Sequence, residues 1–234
     1  NGLGKLLLHA QPAKPEVAIY HSQPSIRVAF VLNMDEELTE ERKGIALILN
    51  ALGVPFAFVD HRQVEQGWLA QNMPKVLIMP MTLAMSDKEI QAVRNYVSKG
   101  GRILADVMPA VHDEHLRKRD VAPLADLFNL SASESLQWLK YADLREPLLP
   151  EKLLSAKGNV CIGRLPFCLH SLESHWRACP EIDQRCRARE EWLQRFLEMA
   201  QVRAIGRAHW EDDRSPVRDC LWARWDLGDE GHII

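Results

Sequence analysis

Residues 112–115 read His-Asp-Glu-His, four adjacent side chains that can bind a metal ion or transfer a proton. Adjacent residues in one loop cannot all face a single ion, so a metal site would need ligands from elsewhere, such as His21 or Asp60. The Leu-Arg-Lys-Arg-Asp stretch that follows is instead typical of a solvated, charged loop. We therefore predict that the chain binds no metal ion and no other cofactor.

Ser22 is a candidate nucleophile, because it follows a short apolar run that predicts a strand. A catalytic serine on such a sheet usually lies in a strained turn between glycines. Ser22 instead precedes Gln23 and Pro24, and residues 106–111 read Asp-Val-Met-Pro-Ala-Val, with neither a nucleophile nor a glycine. Catalytic residues are therefore predicted to be absent, and an enzyme that uses Ser22 or the 112–115 loop is the alternative.

Charge and motifs argue against several classes of protein. The net charge of −3 gives no electrostatic basis for binding nucleic acid or an anionic membrane. Neither a G-x-G-x-x-G nor a P-loop pattern follows an apolar run, so nucleotide binding is not predicted. The apolar runs are too short to span a bilayer. Nothing singles out two acids as the paired carboxylates of a glycosidase.

Short apolar runs rich in Val and Ile predict buried strands. Helical spacing of apolar residues predicts one helix that begins at Thr39 and ends at Gly53, and another that begins at Ser86 and ends at Gly100. Strands that alternate with helices through short connections predict a parallel sheet covered on both faces. The predicted strands are 16–20, 55–60, 75–80, 102–107 and 158–163.

Other segments have weaker patterns. Pro24 predicts a loop at 21–25, because proline interrupts regular helix. A short helix is predicted at 121–130, and the last residues predict a β hairpin. An amphipathic helix is predicted at 182–200, and its buried residues are expected to be Trp192, Leu193, Phe196 and Leu197.

Ligands of open α/β sheets bind at the carboxyl ends of the strands, which here carry a rim of polar residues. We expect this rim to lie near a substrate and to act by shape and hydrogen bonding rather than by bond making. Asp60 and His61 follow the second strand of the rim. The residues expected nearest the substrate are His21, Ser22, Gln23, Met81, Thr82, Asp106, His112, Asp113, Glu114 and His115.

The chain has five cysteines, an odd number, and no C-x-x-C pair. Both features argue against a disulfide framework, and the wide spacing argues against a structural zinc ion. Reduced thiols are typical of the cytoplasm, which is the predicted location. The cysteines are Cys161, Cys168, Cys179, Cys186 and Cys220.

Four stretches match a known family in order and spacing: EVAIYHSQPS (16–25), ALGVPFAFVDHRQV (51–64), VLIMPMTLAMSDKEIQAVRNYVSKGGRILADV (76–107) and VHDEH (111–115). They resemble the β-galactosidase trimerisation domain of glycoside hydrolase family 42 and its relatives. The resemblance is good over 15–130 and loose over 155–210. None of the stretches is a catalytic signature.

The resemblance implies an α/β fold with three layers: a flavodoxin-like, class I glutamine amidotransferase-like, mostly parallel sheet followed by a C-terminal β hairpin. Active amidotransferases place a cysteine in a G-x-C-x-G turn after the strand that corresponds to 102–107. That position reads Asp106-Val107-Met108-Pro109 in this chain, and no strand-borne H-x-E pair follows. Amidotransferase chemistry is therefore not implied.

In the family, this domain follows a TIM barrel that holds the catalytic glutamates, and it precedes a small β domain. The resemblance therefore implies a helix and connector at 1–14, an α/β domain at 15–210 (core 15–130, looser 131–210), and a hairpin at 211–234 that starts a β domain. It also implies a non-catalytic accessory role in a β-galactosidase-like glycoside hydrolase, with self-association as a trimer and carbohydrate bound through the neighbouring barrel. The alternative is a stand-alone enzyme or a sugar sensor that uses the strand-end loops.

Overall fold

The structure is a computed structural model that describes residues 14–128 and 193–204 and the strand segments 11–12, 160–162, 225–226 and 232–233. The strands are β1 (Gln11–Pro12), β2 (Val17–His21), β3 (Phe56–Asp60), β4 (Val76–Met79), β5 (Arg102–Ala105), β6 (Val160–Ile162), β7 (Trp225–Asp226) and β8 (His232–Ile233). The helices are α1 (Gln23–Val31), α2 (Asp35–Ala51), α3 (His61–Glu65), α4 (Trp68–Asn72), α5 (Asp87–Ser98) and α6 (193–199).

Strands β2 to β6 form one five-stranded sheet in the spatial order β3-β2-β4-β5-β6. All four neighbouring pairs are parallel. When these five strands are numbered from one along the chain, the order is 2-1-3-4-5, which is the flavodoxin-like arrangement. The predicted α/β fold with a flavodoxin-like parallel sheet is confirmed, and each strand lies within one or two residues of its predicted position.

The sheet is buried on both faces because successive side chains of a strand point to opposite sides. Ala18 and Tyr20 of β2 belong to a buried cluster that includes residues of α3, α4 and α5. Val17 and Ile19 belong to a second cluster, which includes residues of α2 and α6. The result is a three-layer core in which near-continuous apolar strands lie between two layers of helices.

One predicted loop and one predicted helix start are wrong. Residues 23–31 form helix α1 rather than a loop. Pro24 lies in the first turn of this helix, where a backbone N–H would have no partner within the helix and where the fixed φ of proline suits the helical backbone. Helix α2 begins at Asp35 rather than at Thr39, and the Thr39 hydroxyl donates to the Asp35 carbonyl within the helix (2.8 Å).

The connection after β3 contains helices for which the sequence analysis made no prediction, and the segment after β5 differs from its prediction. Two short helices, α3 and α4, connect β3 to β4, because Asp60 forms a capping box with Gln63 directly after the strand. The helix predicted at 121–130 is wrong over the residues that the structure describes. Residues 123–128 form consecutive turns, in which the Phe128 N–H donates to the Ala125 carbonyl three residues earlier (3.1 Å).

Helix α5 begins as predicted. Ser86 is its N-cap and forms a capping box with Glu89. The helix is followed by Gly100, whose φ of +93° is in the left-handed region that glycine tolerates.

The amphipathic helix of 182–200 is described only from residue 193, where Leu193, Phe196 and Leu197 are buried as predicted. Trp192 lies outside the described residues. The side chains of the five cysteines lie outside them as well. Strands β7 and β8 pair antiparallel, and β1 pairs with β7. The domain boundaries stay a prediction. Over the described residues, no helix combines the length and apolar character that crossing a membrane requires.

Candidate functional site

The crevice between β2 and β4 is the point at which flavodoxin-like sheets bind ligands, because the strand order reverses there. In this chain hydrogen bonds bridge it. Ser22 accepts from the Ser25 N–H (3.1 Å) and donates to the Ala84 carbonyl (3.0 Å). The Ser25 hydroxyl donates to the same carbonyl (3.1 Å) and accepts from the Ala84 N–H (2.9 Å). The start of α1 is therefore tied to the loop after β4.

Ser22 lacks the geometry of a nucleophile, because its side chain is 6% exposed and both functions of its hydroxyl are engaged. It caps α1, which is the commonest role of a serine at this point of a helix. Gln23 is exposed as the first residue of α1. The nucleophile hypothesis therefore finds no support in the contacts of Ser22.

Asp106 follows β5 and is buried, with 3% of its surface exposed. Its Oδ1 accepts from the Met81 N–H (2.7 Å), so the carboxyl holds the turn after β4, where Met81 has a φ of +38°. Burial raises the pKa of Asp106 to about 7, against the lowering effect of backbone N–H groups. The other oxygen, Oδ2, and the buried Thr82 Oγ1 have no hydrogen-bond partner among the described residues.

The 112–115 loop is attached to the segment after β4. The His112 N–H donates to the Leu83 carbonyl (2.9 Å), and the His112 carbonyl accepts from the Met85 N–H (3.2 Å). Burial lowers the pKa of the His112 imidazole. Asp113 accepts from the His115 N–H (2.9 Å) and so closes a local turn.

The structure therefore brings Met81, Thr82, Asp106 and His112 together around the ends of β4 and β5, whereas Glu114 and His115 lie on the exposed tip of the loop. In the part of the chain that the structure describes, no three His, Cys, Asp or Glu side chains are grouped so that they could hold a metal ion. The proximity of these residues to a substrate stays a prediction.

His21 lies at the end of β2, in register with Asp60 at the end of β3. Its Nδ1 is 2.7 Å from Nη1 of Arg42, a residue of α2. A guanidinium can only donate, so Nδ1 accepts and the imidazole is neutral. Burial and the positive charge of Arg42 lower the pKa of His21, and Asp60 opposes them. Sequence reasoning named His21, Asp60 and His61 but missed Arg42.

A second network that sequence reasoning missed lies beneath α5. The Tyr20 hydroxyl donates to the fully buried Glu89, whose Oε2 accepts from the Ser86 N–H (2.5 Å). The Ser86 hydroxyl donates to Glu65 (2.5 Å). Burial raises the pKa of Glu89 and of Tyr20. The capping sequence points to the Ser86–Glu89 pair, but no local pattern points to Tyr20.

No protein-family model and no curated protein matches the chain. Among solved structures, it is similar to Gan42B, a GH42 β-galactosidase, with 18% identity and a TM-score of 0.36 over 49% of this chain and 17% of that one. It is also similar to a catalytic mutant of Gan42B from G. stearothermophilus, with 16% identity and a TM-score of 0.38 over 50% and 17%. The chain thus spans about a sixth of the length of these proteins. The strand order of its sheet defines its class, a flavodoxin-like α/β protein.

Proposed function

We propose that this chain is a non-catalytic accessory and oligomerisation domain of a β-galactosidase-like glycoside hydrolase. It helps to assemble subunits, and its strand-end loops help to wall a carbohydrate site that a neighbouring barrel contributes. One observation carries the proposal: Ser22, Ser25 and Asp106 at the strand ends form internal hydrogen bonds, while large apolar side chains on α1 and β3 are exposed. The family resemblance of the four quoted stretches supports the identity of the parent enzyme.

The strand-end contacts support a structural role. Ser22 and Ser25 close the crevice between β2 and β4, and Asp106 holds the turn at Met81. Side chains fixed in this way hold a loop in one shape, which is what the wall of a neighbouring site requires. Loops 21–24, 81–82 and 106–115 are the segments that we assign to this wall.

The exposed apolar surface supports self-association. Helix α1 buries Val28 and Ala29 in a cluster with residues that follow β4 and β5. Its other face exposes Phe30 and Val31, at 70% and 67%. Phe58, at 52%, lies on β3, an edge strand of the sheet. Exposed aromatic and aliphatic groups on a surface helix and on an edge strand are typical of protein–protein interfaces, and we assign these groups to contacts with a second copy of the chain.

Sedimentation velocity tests self-association. We expect wild-type protein to form a concentration-dependent oligomer, a trimer according to the resemblance, and the double variant Phe30→Asp, Val31→Asp to be monomeric. The matched control is Val121→Asp, because Val121 is 61% exposed on another segment. An oligomer that survives the double variant, or a wild type that is monomeric at every concentration, would contradict the assignment of this surface.

A hydrolysis assay tests the absence of catalysis. The isolated chain is expected not to cleave a chromogenic β-galactoside. Turnover that disappears on Ser22→Ala, with unchanged folding, would favour the stand-alone enzyme instead.

A further inference from the structure

Four charged or titratable side chains lie at the carboxyl ends of β2 and β3, and of these only His21 belongs to a loop that the accessory role uses. His21 and Asp60 end the two strands in register, and His61 follows as the first residue of α3. Arg42 reaches the same place from α2. The charges of Arg42, Asp60 and His61 all influence the pKa of His21, which is consistent with this placement.

Arg42 has more donors than partners. Its Nε donates to the Leu38 carbonyl in its own helix (3.4 Å), and its Nη1 donates to His21. A guanidinium carries five N–H groups. Among the described residues Arg42 forms no ion pair, although it is half-buried and burial lowers its pKa. A partly desolvated positive charge without a carboxylate is costly unless an anion completes it.

One oxygen of the nearby Asp60 carboxylate is engaged by the helix that follows β3. Asp60 Oδ1 accepts from the Gln63 N–H (2.9 Å), while the Gln63 side chain accepts from the Asp60 N–H (2.9 Å). His61 contributes a buried Nδ1 that has no hydrogen-bond partner among the described residues. The second ring nitrogen of His21 must carry its proton, because Nδ1 accepts from Arg42. The spare N–H groups of Arg42, the second ring N–H of His21 and the unpaired ring nitrogen of His61 therefore remain for a ligand.

We propose that Arg42, His21 and His61 bind the carboxylate of a small acidic molecule, such as a sugar acid. The planar fork of arginine matches a carboxylate through two parallel hydrogen bonds, and imidazole N–H groups add further donors. The position is the edge at which open sheets bind ligands, one strand away from the closed crevice.

Isothermal titration with galacturonate, against galactose at the same ionic strength, tests the proposal. We expect saturable binding of galacturonate only, weakened at least tenfold by Arg42→Gln and partly kept by Arg42→Lys. Arg62→Gln is the matched control, because Arg62 is exposed in the same helix as His61 and should not change affinity. Equal binding by wild type and Arg42→Gln, or tighter binding of inorganic phosphate than of galacturonate, would overturn the proposal.

A second measurement needs no variant. Galacturonate should shift the NMR signals of both His21 and His61 rings in wild-type protein, with the same saturation as the calorimetric titration. Unchanged ring signals at saturating galacturonate would overturn the site. Neither result depends on oligomerisation or on hydrolysis. The carboxylate site can therefore be refuted while the accessory role holds, and the accessory role can be refuted while the carboxylate site holds.

Discussion

Replacing Asp106 with asparagine should change how the stability of the fold depends on pH. The Asp106 carboxyl is buried, and burial raises its pKa from 3.8 to about 7. Asparagine has nearly the same shape, and its Oδ1 can still accept from the Met81 N–H. The variant therefore removes the titration of this group while keeping its main contact.

The sign of the effect follows from proton binding. The folded state binds the Asp106 proton more tightly than the unfolded state does, so the proton stabilises the fold as pH falls below about 7. Each pH unit between the folded and unfolded pKa values changes the free energy of unfolding by about 1.4 kcal/mol. From pH 8 to pH 5, the wild type should gain about 3 kcal/mol relative to Asp106→Asn.

Urea denaturation of both proteins at pH 5, 6, 7 and 8 measures this difference. Other titrating groups, including the buried Glu89, are present in both proteins, so their contributions cancel in the comparison. We expect the difference in unfolding free energy to grow steadily in favour of the wild type below pH 7. A difference that stays constant from pH 5 to pH 8 would refute the reasoning.

Three further changes test the packing and the polar contacts by urea denaturation. Gly101→Ala should destabilise the fold by about 1 to 3 kcal/mol, because the new Cβ would lie 2.3 Å from the ring of buried Tyr96; an unchanged midpoint would contradict that contact. Tyr20→Phe removes a hydrogen-bond donor from buried Glu89 and should lower the free energy of unfolding by about 1 to 3 kcal/mol. The loss should be larger at pH 7 than at pH 5, because removing this donor raises the pKa of Glu89 further. Ser25→Ala removes both bonds to the loop after β4 and should cost about 1 to 3 kcal/mol; a loss below the error of the measurement would show that the closed crevice contributes nothing.

The strands and their alternation with helices were predictable from sequence, because parallel strands are buried on both faces and so appear as continuous apolar runs. The starts of the helices were less predictable. Pro24 was misjudged because the same residue that interrupts a helix fits its first turn. Helix α2 lacks a side-chain cap at Met34, and its start was marked only by three acids from Asp35.

The site residues that sequence reasoning missed have distant partners. Tyr20 and Glu89 are 69 positions apart, and His21 and Arg42 are 21 apart. Local periodicity carries no information on such pairs, which depend on how the helices pack against the sheet. Rim positions such as Asp106 were found because strand ends can be located, but their burial and internal bonds could not be read from the sequence.

The accessory role is tested by the intact mass of the natural polypeptide that carries this sequence, captured from its source cells with an antibody against residues 15–130. We predict a mass well above the 26.7 kDa of this chain, because a β-galactosidase-like parent would add a barrel of about 250 residues. A mass near 26.7 kDa would contradict the accessory role, since the chain would then have no barrel to serve.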